Sequence, residues 1–108
     1  MGLFTSMDIN RVAGYILIKF RTLETLINSN GGVNEKKLNI VITTIDAIER
    51  DLSEINSLMR GMSFNKQCRI QLKWSDGRAY PLIRWIGLVN WSNGEAKLIV
   101  NKFRKVYS

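Results

Sequence analysis

Residues 66–103 read KQCRIQLKWSDGRAYPLIRWIGLVNWSNGEAKLIVNKF, and the two dipeptides Asp76-Gly77 and Asn93-Gly94 in this stretch are the strongest short signals for a β-hairpin turn. Taken as a two-residue turn, Asp76-Gly77 sets a register. Trp74 faces Ala79, Leu72 faces Pro81, Ile70 faces Ile83 and Cys68 faces Trp85, all apolar and all on one side. The other side pairs Lys73 with Tyr80, Gln71 with Leu82 and Arg69 with Arg84. A slip of one residue would destroy this separation. Pro81 is compatible with it, because its missing N–H points away from the first strand.

Asn93-Gly94 as a second turn adds Trp91 opposite Ala96, Val89 opposite Leu98 and Gly87 opposite Val100 to the inner face. The outer face gains Ile86, Leu88, Asn90, Lys97, Ile99, Asn101 and Phe103. This reading predicts a three-stranded antiparallel meander. A helix competes for the last segment, since Ala96, Ile99, Phe103 and Val106 also have helical spacing with Asn93 as a cap. Strand is preferred for residues 96–102, and residues 104–108 are read as a basic tail.

Upstream the period changes. Ile9, Ala13, Ile16, Phe20, Leu23 and Ile27 recur at spacings of four and three, as do Leu38, Val41, Ile45, Ile48, Leu52, Ile55 and Met59. Each set is an apolar stripe along one face of a helix. Asp8 and Asn34 suit N-cap positions, and Glu35 suits a first turn. Asn28-Ser29-Asn30-Gly31-Gly32 reads as the reversal between the two helices. Leu17, Ile18, Ile40 and Ile42 lie off the stripes and widen the apolar surface, so something must cover it. The predicted fold is α+β: an antiparallel helical hairpin (8–60) packed on a β-meander (66–103), in a single domain spanning 1–108.

The net charge of +7 lies wholly in the second half. Seven Lys/Arg and seven Asp/Glu cancel up to Arg60, whereas nine Lys/Arg face only Asp76 and Glu95 beyond it. With no histidine and one cysteine, the chain has neither the ligands of common zinc sites nor the base of Ser-His-Asp or Cys-His catalysis. No enzymatic activity and no cofactor are expected. A lone Cys68, read as a buried small hydrophobe, forms no internal disulfide, and the cytoplasm is the expected location. The longest apolar run, Val12 to Ile18, is too short to span a bilayer, and no secretory leader is apparent. Gly2 with Ser6 fits a loose myristoylation pattern, against the plainer reading of a frayed terminus. Asp46, Glu49, Asp51 and Glu54, interleaved with Arg50, read as a solvated face rather than a metal site.

The outer sheet face is the candidate site. Arg69 directly opposite Arg84 is a like-charge pair that a bridging anion would relieve. Lys73, Arg78 and Lys97 extend this positive surface, and Lys102, Arg104 and Lys105 carry it to the C-terminus. Tyr80 and Phe103 could stack bases of a single strand. Such a face predicts nucleic-acid binding, DNA or RNA, through phosphates. The alternative rests on Leu82, Ile86, Leu88 and Ile99, which would form an exposed apolar patch on the same face. That patch suits a homodimer, or an adaptor or inhibitor docking on an acidic protein. In either reading the tryptophans turn inward as scaffold.

Overall fold

The computed structural model describes residues 2–28 and 34–107. Three helices of 26 residues dominate it: α1 (Gly2–Ile27), α2 (Glu35–Arg60) and α4 (Leu82–Tyr107). Between α2 and α4 lie the short helix α3 (Phe64–Arg69) and a two-stranded antiparallel sheet of β1 (Gln71–Lys73) and β2 (Ala79–Pro81). The protein is therefore mostly helical, and the expected three-stranded meander is not formed.

The two N-terminal stripes are buried as their spacing implies. Ile9, Val12, Ala13, Ile16 and Leu23 of α1 meet Leu38, Val41, Ile45, Ile48, Leu52 and Ile55 of α2. Lys19 and Asp51 form an ion pair between these helices. Asn34 caps α2, its side chain accepting from the Lys37 N–H at 2.8 Å. Asp8 is not a cap, because α1 begins six residues earlier, at Gly2; Asp8 instead pairs with Arg11 one turn on, at 3.4 Å. Leu17 and Ile42 pack on the core, whereas Ile18 and Ile40 remain exposed. The reversal at Asn28 to Gly32 lies, beyond Asn28, outside the described residues.

The last turn of α2 would leave carbonyls unpaired. Gly61 bonds back to the Leu58 carbonyl, and the Gln67 side chain donates to the carbonyls of Met59 (3.0 Å) and Met62 (3.2 Å). Gln67 therefore ties α3 onto the end of α2. Ser63 caps α3 through the Lys66 N–H. This local bonding makes 64–69 a helix rather than the start of a strand, and it leaves Cys68 exposed instead of inward.

The first hairpin forms, but one residue out of the expected register. Gln71 pairs with Pro81, Leu72 with Tyr80 and Lys73 with Ala79. The turn is a three-residue loop, with the Gly77 N–H bonded to the Trp74 carbonyl and Trp74 N–H bonded to the Arg78 carbonyl at 2.8 Å. Gly77 has φ +82°, the left-handed conformation that closes such loops. The slip turns β2 over. Ala79 and Pro81 face solvent, while Tyr80 joins Leu72 on the inner side. Pro81 still fits: the Leu82 N–H bonds the Ile70 carbonyl at 3.0 Å, so the neighbouring proline nitrogen points away from β1.

The second turn does not form at all. Leu82, Trp85, Val89, Asn93, Ala96 and Val100 are buried, with Phe103 packed against them, at spacings of three and four. One helical stripe thus runs through the two segments expected as strands, and Asn93-Gly94 lies in the middle of α4. Residues 104–107, expected as a tail, are its last turn. Burial of this stripe against α2 overrides the local turn preference. Trp91, Ile83 and Leu98, expected inward, are exposed, and Leu82, expected on the outer patch, is fully buried.

Both α1 and α4 pack on α2. Trp74 joins them to one another, its ring edge-on to Phe20 of α1 (5.7 Å, 63°) and to Trp85 of α4 (6.0 Å, 85°). Trp85 is fully buried and donates its indole N–H to the Lys73 carbonyl at 2.9 Å. Trp85→Ala should therefore cost about 3–5 kcal/mol in urea unfolding, the cost of removing a buried large aromatic. Asn93 is 6% exposed, and its side-chain oxygen has no partner among the described residues. Asn93→Leu, of similar shape, should raise stability by about 1–2 kcal/mol in the same measurement.

Candidate nucleic-acid interface

The end of the molecule formed by α3, the hairpin and the start of α4 gathers five cations: Lys66, Arg69, Lys73, Arg78 and Arg84. All five are exposed. None forms an ion pair among the described residues, unlike Arg11, Lys19 and Lys97. One carboxylate, Asp76, lies within this segment. Both of its oxygens are engaged locally: the Arg78 N–H donates to one at 2.9 Å, and the Tyr80 hydroxyl to the other at 2.5 Å. The first bond closes the Asx-type turn that presents Arg78 at the hairpin tip.

Tyr80 stands at the centre of this arrangement. Its ring is half-buried, its hydroxyl holds Asp76, and the Arg84 guanidinium lies 5.5 Å from the ring centroid. The tyrosine thus links the hairpin tip to the first turn of α4, and stacking holds Arg84 without using its hydrogen-bond donors on a carboxylate. Arg69 and Arg84 are not opposed across a sheet. Arg69 ends α3 and Arg84 belongs to α4, so the like-charge pair inferred from the register does not exist.

The remaining expected residues are dispersed. Lys97 forms an ion pair with Glu49 of α2. Glu49 and Asp51 therefore join helices rather than merely facing solvent. Lys102, Arg104 and Lys105 are exposed on the last turns of α4, about 27 Å along the helix from Arg84 at roughly 1.5 Å per residue. Phe103 packs on the core, which removes it as a stacking platform. The apolar patch dissolves as well: Leu82 is core, Ile86 packs against it, and Leu88 and Ile99 are half-buried. Among the described side chains of α4, the large apolar ones exposed are Ile83, Trp91 and Leu98, which the strand reading had turned inward. Helical spacing from Leu82 onward was the signal that could have found them.

No helix among the described residues is long and apolar enough to cross a membrane. No family model, curated protein or solved structure matches the chain.

The Tyr80 hydroxyl, and secondarily the Arg78 N–H, hold the Asp76 carboxyl below the usual carboxylate range. The same hydrogen bond from Tyr80, with burial second, raises the phenol above its ordinary value. Asp76 thus contributes to hairpin order above the unfolded carboxylate pKa of about 4, and that contribution is lost as pH falls through the lowered value. Tyr80 contributes below the unfolded phenol pKa of about 10, and that is lost as pH rises through the raised value. In Tyr80→Phe, an NMR titration of the Asp76 carboxyl carbon should show its midpoint moving up toward the ordinary carboxylate value. An unchanged midpoint would mean that the Arg78 N–H alone sets it.

Proposed function

We propose that this protein is a non-enzymatic nucleic-acid-binding protein whose contact surface is the α3–hairpin–α4 end, with Arg69, Lys73, Arg78 and Arg84 meeting phosphates and Lys66 beside them. One observation carries the reading: five exposed cations share this end without an ion-paired carboxylate, while the single acid among them is occupied by its own turn. A surface that merely kept the protein in solution would need no such segregation of charge. Free guanidinium and ammonium groups held on a short, tied hairpin suit the repeating phosphates of a nucleic-acid backbone. Tyr80 supports this surface by holding Arg84, rather than by stacking on a base. The second group of cations, Lys102, Arg104 and Lys105, lies far enough along α4 to lengthen the track on an extended strand.

Such contacts act through counterion release, so affinity falls steeply with salt. Four phosphate contacts on duplex DNA correspond to a slope of log K against log salt of about −3 to −4. Arg69→Ala and Arg84→Ala should each weaken binding for all sequences and make the slope shallower by about 1, with the fold retained. Lys97→Ala, which removes a partner of Glu49 in mid-bundle, should leave the slope unchanged. Fluorescence anisotropy with labelled single- and double-stranded DNA and with RNA measures all of these. Absence of binding at low salt would sink the reading.

A further inference from the structure

The face of α4 opposite its buried stripe carries Ile83, Gly87, Trp91, Gly94 and Leu98 at spacings of four, four, three and four. Ile83, Trp91 and Leu98 are 53%, 67% and 56% exposed. The two glycines between them are helical, and nothing lies within 4 Å of where a Cβ would stand on either. The fold therefore has no use for them, although glycine is the poorest helix former after proline. Two bare patches alternating with two large apolar side chains form a surface shaped for close approach from outside.

We infer that this face binds a second copy of the chain, in an antiparallel pairing of α4 with its symmetry mate. The spacing is self-complementary under a two-fold axis. When Trp91 of one copy is set opposite Gly94 of the other, Leu98 necessarily falls opposite Gly87, and both contacts repeat on the far side of the axis. Each knob meets a hole. The next position out sets Ile83 opposite Lys102, whose methylene stem can lie over the isoleucine while its ammonium stays in water. A parallel pairing would instead stack Trp91 on Trp91 and glycine on glycine, with no such fit.

Charge selects the same occupant. From Trp85 to Ala96 the single charged residue is Glu95, and none of the five face residues is charged, in a chain of +7. From Trp85 to Ala96, between Arg84 and Lys102 at the ends, the strip offers an anionic polymer or an acidic protein no cation, and two like-charged copies repel least there. The strip is about 23 Å long and about 10 Å wide, a footprint of about 230 Å² on each copy and about 460 Å² in all, below the size of a standard specific interface. The dimer is accordingly weak, and salt strengthens it by screening the two net positive charges.

Sedimentation equilibrium of the full chain without nucleic acid, from micromolar to millimolar concentration, tests the inference. A monomer–dimer equilibrium that tightens with added salt is expected, the opposite sign to nucleic-acid binding. Gly94→Ala should raise the thermal midpoint of the monomer and weaken the dimer by about tenfold, because it improves the helix and fills the hole. Trp91→Ala should abolish dimerisation. Combining Trp91→Gly with Gly94→Trp exchanges knob and hole and should restore association that Trp91→Gly alone removes. A chain that stays monomeric throughout, or a dimer unaffected by Gly94→Ala, would overturn the inference. So would adsorption to vesicles of anionic lipid through Trp91 in place of self-association. Arg69→Ala, which lies on α3 and not on the paired helix, should not change the dimer, so the two readings fail independently.

Discussion

The rest of the structure depends on the burial of Trp85 beneath the hairpin. Its indole fills the space where β1 meets α4, and its N–H finds the Lys73 carbonyl. In an antiparallel pair Lys73 stands at a position whose carbonyl points away from its partner strand, so that acceptor was available. Trp74, the next residue, then contacts Phe20 and brings α1 into the same cluster. A sheet of only two three-residue strands is marginal alone. It persists because both of its ends are tied, at Trp74–Trp85 on one side and at the Leu82 to Ile70 bond on the other. Once that hairpin is seated, α4 has a fixed start and direction, and it runs back along α2 to the Glu49–Lys97 pair.

The same hairpin orders the candidate interface. Its tip carries Arg78, its inner strand residue Tyr80 supports Arg84, and the chain entering it ends α3 at Arg69. Charge separation follows from this placement. Two acids of α2, Glu49 and Asp51, are drawn into interhelical pairs, while the cations of the hairpin end have no ion-paired carboxylate. Fold and electrostatics are one arrangement there: the elements that join α2 to α4 also carry five exposed cations without an ion pair.

The N-terminal helices were legible because a stripe of three–four spacing has one low-energy outcome over 26 residues. The hairpin was legible only to within one residue. Asp76-Gly77 announces a turn, but whether the loop holds two residues or three depends on which arrangement buries Leu72 and Tyr80 together. That choice reversed the faces of β2 and dissolved the Arg69–Arg84 pair. Asn93-Gly94 misled more seriously. Its turn preference is local and worth little against the stripe from Leu82 to Phe103, which packs on α2, a helix that ends at Arg60, before α3 and the hairpin. The cations themselves were identifiable from composition; which of them share an end, and which are consumed by ion pairs, was not.

By itself the sequence determined the two long amphipathic helices, the existence of a turn near Gly77, and a second half whose positive charge exceeds its acids by seven. These follow from periodicity, backbone sterics and charge count, none of which needs a partner. Tertiary structure decided the rest: that residues 82–107 are a helix, that Trp91 faces out while Leu82 faces in, and that Lys97 is paired while Arg84 is free. The physical reason is common to all three. Each depends on what lies across a contact between distant segments, where burial of a whole apolar face outweighs the preference of any two adjacent residues.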